Sequence, residues 1–146
     1  MTQDVLKATP EVQALLDPAR QALLTGKRDQ AATLYEHALA KARELKDRKG
    51  EGDALRGRGT VYSSIGQPQK ALEFLNLALP IYRAIGDKSG EADTLGHMAS
   101  TEQKLKKTDL AEAHFAQAVA LLETLRENLG GLTEAKSAFL GSTIGT

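Results

Sequence analysis

Cysteine is absent from the 146-residue chain, and that single absence removes disulfides, thiolate nucleophiles and thiolate metal sites together. It fits a reducing compartment. Net charge is absent too: 19 basic residues balance 19 acidic ones. The two signs are interspersed, so there is no basic footprint of the kind a phosphate backbone or an anionic membrane demands. Neither nucleic acid nor membrane is expected as a partner. No apolar run approaches the roughly 20 residues of a membrane span, and no basic, apolar and small-residue leader opens the sequence. The expectation is a cytoplasmic protein. Hydrophobic residues make up 41% of the chain, so one domain over 1–146 with a contiguous core is expected.

What the sequence does contain is repetition. "DRKGEGDAL" at 47–55 returns as "DKSGEADTL" at 87–95. Residues 11–50, 51–90 and 91–130 align without a gap. Glu11, Glu51 and Glu91 share a column, as do Leu15, Leu55 and Leu95, and the small residues Ala19, Gly59 and Ala99. Further on, Ala31, Ala71 and Ala111 align, then Tyr35, Leu75 and Phe115, then Ala38, Ala78 and Ala118, while Gly50, Gly90 and Gly130 close the units. A period in this range signals a repeat architecture.

Spacings within a unit are helical. Leu55, Gly59 and Tyr62 lie four and three apart, and Ala71, Leu75, Ala78, Leu79 and Tyr82 continue that rhythm, as one face of a 3.6-residue helix requires. Gly66 and Pro68 suit the turn inside the second unit, because glycine accepts a left-handed cap and proline is preorganised for a first helical turn. Gly86 ends the second helix, and Glu91 with Asp93 place negative charge at the start of the next. Each unit reads as a helical hairpin. Ala and Gly at 59, 71, 78, 99, 111 and 118 let backbones approach, and the large residue at 75 or 115 fills the space between hairpins. Stacked, three hairpins form an all-α solenoid whose inner surface is lined by the first helix of each pair.

At Gly59, Tyr62, Gly66, Ala71, Leu75 and Ala78 the sequence resembles a tetratricopeptide repeat (TPR) protein. The longer period is similar to that of kinesin light chains and many bacterial members, in which phrases such as "GEADTL" and "ALPIYRAIGD" recur. The resemblance covers 11–130 and implies antiparallel hairpins in a short right-handed solenoid. The third unit departs from the pattern, with Glu102 in place of Tyr and Lys106 in place of Gly, so a left-handed cap there carries about 1 kcal/mol of strain. The first has Ala22 for Tyr, and Asp17-Pro18 predicts a break near 17, with Asp17 capping a short helix from 18 to about 25 and residues 1–16 forming a loosely attached leading helix. Pro80 predicts a kink without an end.

Beyond Gly130-Gly131, "LTEAKSAFL" predicts a capping helix over 131–146. "LLETLRENLGGLTEAKSAFLGS" also resembles the segment that joins TPRs to CHAT protease modules in some bacterial proteins. No such module follows and no cysteine nucleophile exists, so two readings stand: a cap, or a regulatory fragment of a larger effector.

Catalytic signatures fail in turn. "GRGTVY" at 57–62 lacks the third glycine of a dinucleotide loop and any preceding strand. "GKR" at 26–28 lacks the flanking residues of a phosphate loop. His37, His97 and His114 fall in different helices without metal-ligand spacing. The expectation is a non-enzyme with no cofactor and no metal.

What remains is the inner surface. The resemblance implies groove positions at Arg20 in the first unit, beside Leu16 and Leu23; at Asp53, Arg56, Thr60, Ser63 and Ser64 in the second; and at Asp93, Gly96, Ser100, Gln103 and Lys104 in the third. Such a groove suits a protein or peptide ligand, with Arg20, Arg56 and Lys104 as donors. The bland counterpart is an Arg56 paired with Asp53 or Asp93. The helix "ALEFLNLALPIY", with Phe74 and Leu77 outside the core stripe, offers a second expectation, a homo-oligomeric scaffold.

Overall fold

Left-handed residues punctuate the chain at nearly regular intervals, at Gly26, Lys46, Gly66, Gly86 and Lys106, and helices fill the gaps between them. The structure, a computed structural model describing residues 6–144, has six: α1 (Pro10–Leu24), α2 (Arg28–Glu44), α3 (Arg48–Ser64), α4 (Pro68–Ile85), α5 (Lys88–Lys104) and α6 (Thr108–Ile144). There is no strand among the described residues. Residues 1–5 and 145–146 of the expected domain lie outside them.

Pairing runs α1 with α2, α3 with α4, and α5 with α6, and each pair packs on the next. The first helices also meet across repeats, α1 with α3 and α3 with α5. That closer spacing puts α1, α3 and α5 on the inner side of the curve, as the hairpin reading requires. Glycines in α3 let the second helices on either side of it, α2 and α4, approach closely. Gly59 lies against Leu75 so closely that an added Cβ would sit 2.9 Å from Leu75 Cγ. Gly57 faces the ring of Tyr35 in the same way. One core cluster joins Val12, Leu16, Tyr35, Leu55 and Tyr82, and a second joins Leu75, Leu79, Leu95, Met98 and Ala118.

The joints have a device that the sequence reading misses. Asp47 and Asp87 cap α3 and α5, accepting from Gly50 N–H at 2.8 Å and Gly90 N–H at 3.0 Å. The other carboxylate oxygen of each reaches back one repeat. Asp47 accepts from Thr9 N–H at 2.7 Å, and Asp87 from Lys49 Nζ at 2.6 Å. One side chain therefore starts a helix and staples it to its counterpart in the preceding hairpin.

Three expectations need correction. The break at Asp17-Pro18 is not there: α1 runs through Pro18. Val12, Leu16, Ala19 and Ala22 are buried on both sides of it, and burying one continuous face outweighs the roughly 3 kcal/mol of an interior proline. Asp17 is not a cap either, since Gln13 and Arg20 occupy its carboxylate. The segment after Gly130-Gly131 is helical but does not fold back as a cap; it continues α6, and every residue from Arg126 to Gly141 is exposed. Phe115, expected between hairpins, is 61% exposed although its equivalent Leu75 is 1% exposed. It stands on the α5–α6 pair, and among the described residues no hairpin covers that pair. Pro80 stays within α4, which continues to Ile85.

Candidate functional site

Four of the expected groove residues turn out to hold the first helices together. Asp53 is only 5% exposed. Its carboxylate accepts from Tyr82 Oη at 2.6 Å, and three cations surround it: Lys49 at 3.3 Å, Arg20 at 3.5 Å and Arg56 at 3.8 Å. Arg56 extends onward to Asp93 at 3.3 Å. Lys49 and Arg56 both lie over the Tyr82 ring, 5.3 and 5.4 Å from its centre. The network crosses α1, α3, α4 and α5. It is a charge cluster around a buried carboxylate in which each member is partnered, the condition under which a buried charge is tolerated.

The electrostatics follow from that enclosure. Burial, reinforced by the hydrogen-bonded Asp53 carboxylate, pushes the Tyr82 phenol far above the usual tyrosine range, against the pull of Arg56. It therefore stays a donor to Asp53. Burial works against the charge on Arg56, but Tyr82, Asp53, Asp93 and Asp87 outweigh it and raise its pKa. Burial would also raise Asp87; the hydrogen bonds from Lys49 and Gly90 and the fields of Lys49 and Arg56 reverse this and hold it below the usual carboxylate range. Burial and Arg56 lower His97, with Asp93 opposing them.

Beyond this cluster, toward the C-terminal ends of α3 and α5, the inner face opens. A cleft of about 230 Å³ is lined by Gly59, Thr60, Ser63, Ser64, Leu75, His97, Ser100, Thr101 and Lys104. Lys104 Nζ donates to Ser63 Oγ at 3.1 Å and so crosses the cleft. Thr60 and Ser64 donate their hydroxyls to backbone carbonyls of their own helix, so each oxygen can still accept. A larger cleft of about 610 Å³ lies at the open end between α5 and α6 and is lined by Gly96, Ala99, Ser100, Gln103, Ala111 and Phe115, among others.

The structure thus sorts the expected groove residues. Thr60, Ser63, Ser100 and Lys104 converge on one cleft, Gly96 and Ser100 border the second, and Asp53 and Arg56 belong to the buried network. Asp93 and Arg20 stand at its edge, each half of an ion pair. Of the structural positions, Gly59, Ala71, Leu75, Ala78, Ala99, Ala111 and Ala118 are buried, Gly66 is left-handed, and Tyr62 stacks on Phe74 with ring centres 5.3 Å apart. That stacking occupies Phe74, one of the two residues expected to pair chains. Lys49 and His97 were missed. Their signal was weak, since Lys49 reads as an ordinary surface lysine and His97 has no partner at ligand spacing. Glu102, where the repeat pattern expects Tyr, is buried and contacts His114 Nδ1 at 2.6 Å, so the α5–α6 pair replaces an aromatic contact by a polar one. Among the described residues no group of three or more His, Asp or Glu is placed to hold a metal, and no helix is long and apolar enough to cross a membrane.

Stacked helix pairs with small residues at their crossings and a cleft along the first helices define a tetratricopeptide-repeat solenoid. The Tetratricopeptide repeat family model matches residues 14–84. The crystal structure of the TPR domain of Arabidopsis FLU superposes with a TM-score of 0.73 at 26% identity, covering 78% of this chain and 96% of that one. Protein FLUORESCENT IN BLUE LIGHT, chloroplastic, of Arabidopsis thaliana is 27% identical over 126 residues, which is 79% of this chain and 40% of that protein. Tetratricopeptide repeat protein 29 of Trypanosoma brucei brucei is 27% identical over 106 residues, 73% of this chain and 22% of its own length. The chain therefore spans less than half of either curated relative. Together these findings show the tetratricopeptide repeat fold and make the chain similar to proteins that carry it, a fold that is generally a non-catalytic scaffold for protein interaction.

Proposed function

We propose that the chain is a non-catalytic scaffold that holds an extended protein segment in the cleft along α3 and α5. The observation that carries this reading is the convergence of Thr60, Ser63, Ser64 and Ser100 with a single cation, Lys104, on the inner face. Short hydroxyl side chains leave room for a backbone and can accept or donate along it. Lys104 supplies one charge-assisted donor for a ligand carboxylate or carbonyl. It is the expected donor with the fewest commitments, because Arg20 and Arg56 already face Asp53.

Peptides selected by display against the whole chain test the reading. Lys104→Glu should weaken the selected peptides by about tenfold or more, as reversal of an interfacial charge does, whereas Glu73→Lys on the outer helix α4 should leave them unchanged. Selected peptides indifferent to Lys104→Glu would overturn the assignment. Arg56→Glu is not a clean probe, since it would place a fourth acid beside Asp53, Asp87 and Asp93.

A further inference from the structure

The repeat register continues past the third hairpin. In the columns of Ala92, Leu95 and Met98, all buried in α5, stand Leu132, Ala135 and Ala138. Gly130 falls in the column of Gly90, whose missing Cβ makes room for the Tyr82 ring, yet nothing lies within 4 Å of an added Cβ at Gly130. Residues 127–144 have the composition of a first helix. At 1.5 Å per residue they span about 27 Å, the length needed to cover a hairpin as the 17-residue α3 and α5 do.

The stop before them has been lost. The left-handed column of Lys46 and Gly86 holds Arg126, and the capping column of Asp47 and Asp87 holds Glu127. Without the turn and the cap, α6 runs straight on and carries the segment away from its own hairpin. The surface such a helix would cover is open. Tyr35 and Leu75 are 3% and 1% exposed, but Phe115 in the same column is 61% exposed; Leu39 and Leu79 are 5% and 7%, but Val119 is 38%. A cleft of about 610 Å³ borders Phe115.

We propose that residues 127–144 of one chain cover the open end of a second copy, in the place that α3 and α5 take on the hairpins before them. The occupant is a second copy because the identical chain carries both the open hairpin and the register-matched helix, and a helix continuous through 126–131 cannot turn back on its own hairpin. Exchange of an identical element between protomers needs no interface beyond one the fold already uses twice.

Sedimentation equilibrium on the whole chain over a concentration series tests this. The mass of two chains is expected for the native sequence. Phe115→Glu and Leu132→Glu, both at exposed positions, should each return the mass of one chain with helical circular dichroism retained. The pair Arg126→Gly and Glu127→Asp, which restores the joint, should also give one chain, now with Phe115 protected. A native chain that sediments as one chain throughout, or a two-chain mass that survives Phe115→Glu and Leu132→Glu, overturns the proposal.

Discussion

Asp53 has more partners than a ligand-facing carboxylate could keep: a phenol at 2.6 Å and three cations within 3.8 Å. Removing one should show in stability and not in binding. Tyr82→Phe deletes a buried charge-assisted hydrogen bond, and about 1.5–3 kcal/mol should be lost from the unfolding free energy in urea. A loss below about 0.5 kcal/mol, the level of an ordinary surface change, would show that the phenol adds little to the cluster. The same residues set a pH window. Asp87 has a depressed pKa, so its contribution is present above the ordinary 3.8 and is lost as pH falls through the folded value. Tyr82 has a raised one, so its contribution is present below the ordinary 10.0 and fades as unfolded tyrosine ionises above it. Stability against pH should therefore form a plateau that falls on both sides, and Asp87→Asn should flatten the acid limb. An unchanged acid limb in that variant would contradict the staple assigned to Asp87. Little of this was legible beforehand. Arg56 could be paired with Asp53 or Asp93 from the groove positions that the resemblance implies, but Tyr82 and Arg20 meet Asp53 only through the stacking of hairpins.

Helices were easier to read, because their signals are local. Gly66 and Gly86 are left-handed as their places at helix ends require, and Pro68 opens α4. Lys106 shows that the column keeps its conformation without glycine, at φ 61°. Gly86→Ala should then cost about 1 kcal/mol, while Lys106→Gly should gain up to about that amount, offset by the freer unfolded chain. Thermal melts of the two variants should move in opposite directions; a fall with Lys106→Gly would mean that its side chain contributes more than its backbone strain. Gly57→Ala tests close approach. The added methyl meets the Tyr35 ring, and about 1–3 kcal/mol should be lost by overpacking. What failed at this scale was proline. The rule that breaks a helix at Pro18 is local, and the four buried residues around it belong to packing that only the stacked molecule supplies.

At the scale of the whole molecule, repetition settled the architecture, and the departures from it mark where function is sought. The inner face divides into a saturated ionic cluster at one end and an open hydroxyl-lined cleft at the other. A groove inferred by family position treats all of these residues alike; the division between them comes from the distances. The outer end behaves in the same way, since Phe115 is a core residue by its column and a surface residue by its place in the array. The central claim is that a partner lies along α3 and α5 beside Lys104. Amide chemical shifts of the isotope-labelled chain, recorded with and without a display-selected peptide, test it most directly. Perturbations gathered on Thr60, Ser63, Ser64, His97, Ser100 and Lys104 are the predicted result; perturbations confined to α2, α4 or the far half of α6 would contradict it.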